Sequence, residues 1–295
     1  MRVVPGKFLL QKRLMVALKR CYIQWIAYMD VDKVLFISQE IAPYLPDTPM
    51  SKMGFDMPQG MQELGVQVRT FMPKYGLINE RRNQLHEVIR LSGMNLIIDD
   101  SDHPLIIKVA TLPSRAQVYF IFNDDYFAHS LTKELETVSS PDDNDERSIF
   151  FVRGVIETVR KLRWNPSVIH CCGWITALSM VYMRELYNDD PSFRDAKIVY
   201  SLWDDEFAQP LDSRMGVKLK MDGMSDEVVA DILDKPVDFK ALTKLALKYC
   251  DAVVQHSANV DPEILDMARA TGLPFLPYEE GPQFVEKCLE FYKTL

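Results

Sequence analysis

The sequence predicts a doubly wound α/β domain on a mostly parallel, Rossmann-like sheet with an antiparallel extension. Three observations carry this. Short apolar runs alternate with helix-length amphipathic stretches along most of the chain. Those runs lack the polar alternation of a half-exposed sheet, as strands covered on both faces do. Three further runs around residue 100 succeed one another too closely for helical crossovers, and so extend the sheet antiparallel. With 295 residues, 47% of them hydrophobic and 26% charged, the chain has ample apolar material for one packed core.

Taken in order, Lys33-Val34-Leu35-Phe36-Ile37-Ser38 reads as the first central strand. Pro43, Pro46 and Pro49 break the chain behind it, residues 57–64 form a helix ending at Gly65, and residues 66–72 return as a strand. Residues 88–98, 105–112 and 117–123 are the antiparallel extension. Acidic residues 142–146 open a long helix, with Ile149, Phe150, Val152, Val155, Ile156 and Val159 at helical spacing. Strands at 168–170, 198–202 and 252–255 then alternate with helices at 174–186, 239–249 and 262–270, and a last helix runs from Pro282. Residues 204–225 are irregular enough for a long loop, read as a surface excursion or a lid.

The net charge of -8 and the isoelectric point near 5.2 argue against a nucleic-acid partner, which needs clustered cations. Five cysteines without C-x-x-C spacing suit neither a disulfide framework nor a zinc site and point to the reducing cytoplasm. The adjacent Cys171 and Cys172 are either a redox switch or two buried, inert thiols. Residues 1–29 carry Arg2, Lys7, Lys12, Arg13, Lys19 and Arg20 with no acid before Asp30. Their apolar stretches fall short of the about 20 residues that span a bilayer; a basic amphipathic membrane-surface helix is the alternative reading, and no membrane partner is expected. This segment reads as a basic extension ahead of a natural start at Met29, with residues 30–295 as one domain.

No Gly-x-Gly, Gly-Lys-Ser/Thr or Gly-x-Ser-x-Gly occurs, and the five histidines lack metal-ligand spacing. No metal and no resident cofactor are expected. Ligands of open α/β sheets bind outside the carboxyl ends of the strands, which singles out two places. His170-Cys171-Cys172-Gly173-Trp174-Ile175-Thr176 leads into a helix start whose free N–H groups attract anions. His170 either projects into the crevice or holds a loop from beneath the sheet edge. Trp174 is either a packing wedge or a sugar platform. Trp203-Asp204-Asp205-Glu206 could meet sugar hydroxyls or a cation, or be solvated. Asp99-Asp100-Asp102 and Asp142-Asp143-Asp145 are weaker candidates, the latter explained by the helix start.

Residues 33–43, with Ser38-Gln39-Glu40-Ile41-Ala42-Pro43, resemble the opening strand and loop of bacterial glycogen and plant starch synthases. The segment from Met57-Pro58-Gln59-Gly60 through Met72-Pro73-Lys74-Tyr75-Gly76 is similar to the next helix and strand of that family. So are Asn144-Asp145-Glu146-Arg147 with Phe150-Phe151, Val168-Ile169-His170 with Trp174 and Thr176, and Tyr249-Cys250-Asp251-Ala252-Val253-Val254 with Ser257 similar to its later segments, in the same order. The resemblance implies the N-terminal half of a GT-B glucosyltransferase that moves glucose from ADP-glucose to an α-1,4-glucan. The candidate substrate contacts are His170, Trp174, Thr176, Asp204, Asp205 and Tyr44, with His170 the best catalytic candidate. The donor-binding C-terminal domain is expected to be absent.

There are departures from the family pattern. The family's phosphate-contacting Lys-Thr-Gly-Gly-Leu falls on Pro46-Asp47-Thr48-Pro49-Met50, and in His-Ala-His-Asp-Trp-His the second His and the Asp become Cys172 and Gly173. Val-His-Asn becomes Leu202-Trp203-Asp204. The expected function is therefore a glucosyltransferase domain of glycogen metabolism that is incomplete alone and could be completed by a second subunit. The alternatives are a non-catalytic glucan-binding or regulatory module acting with a partner enzyme, and an unrelated small-molecule role on the same fold.

Overall fold

The computed structural model describes residues 31–112, 114–128 and 143–295. The basic stretch 1–29 with its start at Met29, together with Cys21, His129 and Asp142, lies outside the described residues. The strands are β1 (Lys33–Ser38), β2 (Gln67–Pro73), β3 (His86–Glu87), β4 (Met94–Ile98), β5 (Ser101–Thr111), β6 (Gln117–Phe122), β7 (Val168–Cys172), β8 (Lys197–Leu202), β9 (Ala252–Gln255) and β10 (Phe275–Leu276). They lie in the order β10-β9-β8-β7-β1-β2-β6-β5-β3, with β4 paired to β5 off that path. Neighbours from β10 to β6 are parallel, whereas β5 runs antiparallel to β6, β3 and β4. The chain winds outward from β1 through β2 to β6, returns to β7 on the other side of β1, and winds outward again. Direction therefore reverses between β1 and β7, where open sheets form their ligand crevice.

The helices are α1 (Pro49–Glu63), α2 (Asp124–Phe127), α3 (Asn144–Leu162), α4 (Leu178–Glu185), α5 (Met215–Met221), α6 (Asp226–Val229), α7 (Phe239–Tyr249), α8 (Pro262–Ala270) and α9 (Gln283–Lys293). The pleat sends alternate strand residues to opposite faces. Leu35, Ile37, Ile169 and Cys171 join the larger core, with Phe150 of α3, Leu178 of α4 and Leu242 of α7. Val34, Phe36, Val168, Val199, Ala252 and Val254 face the other way, against Met57 and Met61 of α1 and Phe284, Cys288, Leu289 and Tyr292 of α9. Both faces are covered, which is why β1 reads as an unbroken apolar run. Burial of each such side chain is worth about 1.5–3 kcal/mol, so neither layer is dispensable.

Several boundaries differ from expectation. The first helix starts at Pro49 rather than Met57, because Pro49 occupies the first helical turn, where no amide partner is needed, and Thr48 caps it. The run at 117–123 pairs parallel with β2 as well as antiparallel with β5, so it belongs to the main sheet. Residues 88–98 contribute only β4, with β3 just before them. The predicted helix at 174–186 is a 3₁₀ turn (Trp174–Thr176) followed by α4. Residues 204–225 are not an irregular lid, since they hold α5 and its buried Lys218. No helix among the described residues is long and apolar enough to cross a membrane.

Candidate functional site

At the switch point, Gln39 and Glu40 leave β1 beside Cys172 and Gly173 leaving β7. The Gln39 amide donates to the Cys172 carbonyl at 2.9 Å. Gly173 has φ +91°, and a Cβ there would come within 2.5 Å of the Gln39 Cβ, so both conformation and space require glycine. The Ile175 amide donates to Gln39 Oε1 at 3.4 Å, and Thr176 Oγ1 donates to the Gly173 carbonyl at 2.7 Å. Together these contacts fix the turn from β7 into the following helix.

The α1 start forms the opposite wall. Thr48 Oγ1 accepts from the Ser51 amide and Ser51 Oγ accepts from the Thr48 amide, both at 2.9 Å. Such a reciprocal cap satisfies two otherwise orphaned donors. The same Thr48 hydroxyl donates to Glu40 Oε2 at 2.6 Å, tying the helix to the β1 exit. Gly54 lets α1 lie on that exit, because a Cβ there would sit 2.2 Å from the Glu40 carbonyl oxygen. Between these walls and residues 203–206 after β8 is a cavity of about 210 Å³, lined by Gln39, Glu40, Thr48, Pro49, Met50, Trp203, Asp204, Asp205 and Glu206.

The crevice is acidic: four of these residues are carboxylates, and none is a lysine or arginine. Burial pushes the Asp205 carboxyl up to about 7, opposed by the Trp174 amide, which donates to Asp205 Oδ2 at 2.8 Å, and reinforced by Glu40 and Asp204. Burial likewise raises Glu40. The Trp174 amide that could have met a foreign anion is thus already engaged by the protein's own carboxylate.

Asp204 and Asp205 line the crevice, but the other expected contacts lie elsewhere. His170 does not project into it. The pleat turns its ring toward α9, where Nδ1 bonds the Tyr292 hydroxyl and Nε2 bonds Ser201 Oγ, and burial holds its pKa well below the usual histidine value. Trp174 is fully buried edge-on to Phe207, with ring centroids 5.1 Å apart, which is a wedge and not an open platform. Thr176 is buried under the turn. Tyr44 packs edge-on against Phe120 in the larger core, and burial pushes its phenol up to about 12.

Cys171 and Cys172, adjacent on a strand, point to opposite faces and are both buried, so they form no paired switch. Asp143 pairs with Arg147 at 2.8 Å and gives no side-chain cap to α3. Lys218 binds Asp145 and Glu146, each at 2.7 Å, and pins the 204–225 segment to α3. Asp99 pairs with Arg214 at 2.9 Å.

Sequence reasoning missed Gln39, Glu40, Thr48 and Met50 as lining residues. The strand-end rule applied to β1 would have found the first two. It also missed His256, which is buried with no side-chain hydrogen-bond partner at either ring nitrogen among the described residues, and whose pKa burial lowers to about 3 against a small opposing effect of the Val254 backbone. A larger cleft of about 520 Å³ lies beside the amino ends of β9 and β10, lined by Leu245, Met267, Lys244 and Lys248 among others, away from the switch point. No cluster of three or more metal-ligating side chains forms among the described residues.

Residues 33–275 match the family model described as the starch synthase catalytic domain. The chain belongs to that family. Among curated relatives it is 37% identical over 172 residues to a glycogen synthase of Chlorobium chlorochromatii, covering 58% of this chain and 35% of that protein. It is 32% identical over 234 residues to a glycogen synthase of Chlorobaculum parvum, covering 79% of this chain and 47% of that one. The chain thus spans between a third and a half of the length of these relatives. In fold it is similar to the catalytic domain of starch synthase IV from Arabidopsis thaliana, solved with ADP and acarbose bound. The TM-score is 0.67 at 17% identity, over 85% of this chain and 52% of that one. The sheet and its helices are one half of a GT-B fold.

Proposed function

We propose that this starch synthase-type domain binds the neutral end of an α-glucan in its crevice. It serves the acceptor side of glucosyl transfer from ADP-glucose without itself gripping the donor diphosphate. The observation that carries this is the ring of Glu40, Asp204, Asp205 and Glu206 around a cavity lined by no cation. Carboxylates accept hydrogen bonds from sugar hydroxyls, whereas a diphosphate there would meet like charge at close range. At about 210 Å³ the cavity is smaller than the about 300–1,000 Å³ of pockets that enclose whole ligands, which suits a single sugar ring better than a nucleotide. Where the family resemblance places a phosphate-contacting lysine and two glycines, this chain has the Thr48 cap and the Pro49 helix start.

Cations for the diphosphate would come from a second domain or subunit facing the crevice. A reducing, cytoplasmic setting goes with this reading, since Cys171, Cys172, Cys250 and Cys288 are free and buried. Native electrophoresis through gels containing glycogen tests the proposal: the chain is retarded, and Asp204→Ala with Glu206→Ala restores its mobility. Calorimetric titration with ADP gives no heat of binding for this chain alone. Unchanged mobility in glycogen, or tight ADP binding by the chain, would refute it.

A further inference from the structure

The last helix, α9, lies beyond residue 275, where the match to the family model ends, yet it reaches the underside of the crevice at two points. Beneath the crevice, Trp203 stacks on His256 with 5.5 Å between ring centroids and 13° between planes. Trp203 Nε1 donates to Cys172 Sγ at 3.1 Å. Among the described residues no side chain bonds the His256 ring, and only the Val254 backbone lies near enough to act on it. Packing keeps it in place, edge-on to Phe284 of α9 at 5.2 Å and edge-on to His170 at 5.2 Å. His170 is in turn held by the Tyr292 hydroxyl of α9. At the second point, Gly60 of α1 faces Val285 of α9, and a Cβ on Gly60 would come within 2.8 Å of Val285 Cγ1. That glycine allows α9 to press on the helix whose start carries Thr48 and Met50.

We infer that α9 is a positioning element for the crevice. Phe284 and Tyr292 fix the His256–His170 pair and through it the Trp203 floor, while Val285 sets α1 and its wall. The inference deepens the acceptor-site reading and takes the crevice from it, but it can be tested with no glucan present. Cys172 reports on the Trp203 floor, whereas Cys171 and Cys250 belong to the core on the opposite face of the sheet.

The experiment compares the parent chain with Phe284→Ala and Tyr292→Phe. Native-state labelling by a small maleimide is followed residue by residue by mass spectrometry. Local loosening of the floor raises the Cys172 rate by about tenfold in each variant and leaves Cys171 and Cys250 within about twofold of the parent. The Tyr292→Phe change removes a single hydroxyl and keeps the ring, so it remains informative even where Phe284→Ala costs too much packing. Unchanged Cys172 labelling in both folded variants, or an equal rise at all three cysteines, would overturn the inference. Glycogen retardation of the parent and of each variant, run alongside, separates a failure of the brace from a failure of the glucan reading. A retarded parent and a freely migrating Tyr292→Phe chain support the brace.

Discussion

Replacing Asp205 by Asn keeps an oxygen for the Trp174 amide and removes a charge that burial disfavours. The folded carboxyl titrates at about 7 against the ordinary 3.8. A carboxyl raised in this way contributes stability that is fully present below 3.8 and is lost as pH rises through 7. The gap of roughly three pKa units corresponds to about 4 kcal/mol of penalty at pH 8 if it were fully realised. Asp205 is only half-buried by surface area, so solvent screening reduces the expected gain of Asp205→Asn to about 2 kcal/mol. In a chain of 295 residues that corresponds to roughly 3–4 °C in Tm at pH 8. By pH 5 about two-thirds of the difference is gone, because the wild-type carboxyl is then protonated in the folded chain. Scanning calorimetry of both proteins at the two pH values reads this directly. A variant no more stable than the parent at pH 8, or a gain independent of pH, would refute the reasoning.

His256 acts with the opposite sign. Its pKa falls from 6.5 to about 3 on folding, so the stability of its neutral ring is present above 6.5 and lost as pH falls toward 3. Urea unfolding between pH 6 and 4.5 should show His256→Phe flattening the acid slope by about 1.4 kcal/mol per pH unit. Gly173→Ala combines a left-handed backbone with a clash against Gln39 and should cost about 3 kcal/mol in denaturant melts while also releasing the protein from glycogen gels. Lys218→Met strands the fully buried Asp145 and should destabilise by about 3–5 kcal/mol. Lys244→Met, which breaks the exposed pair with Asp231, should cost under about 1 kcal/mol in the same unfolding assay.

Elements bounded by sharp polar-to-apolar transitions are legible to the residue. β1, β9, α7 and α8 stand where the apolar runs and capping residues put them. The α1 start is harder to read because proline both breaks helices and opens them, and only the Thr48–Ser51 cap decides which applies. The α5 region looks irregular because its central Lys218 is polar. That lysine is buried only because Asp145 and Glu146 come to it from a helix about 70 residues earlier in the chain. His170 illustrates the limit most clearly. Its strand and position are readable and the pleat sets the face it points to, but the Tyr292 that holds its ring lies 122 residues away on α9. The acidic character of the crevice can be read in part from residues 203–206, whereas Glu40 joins them only through the β1–α1 packing.

The borders of the sheet bear on how the protein behaves when concentrated. Its two terminal strands, β3 and β10, are two residues each, so each offers a neighbouring chain almost no free backbone ladder. The longer outlying β4 has its Ile97 carbonyl occupied by Arg153, and Asp99 and Asp100 stand at its end. Among the described residues strand-to-strand templating is blunted at these borders, which directs self-association toward side-chain surfaces instead.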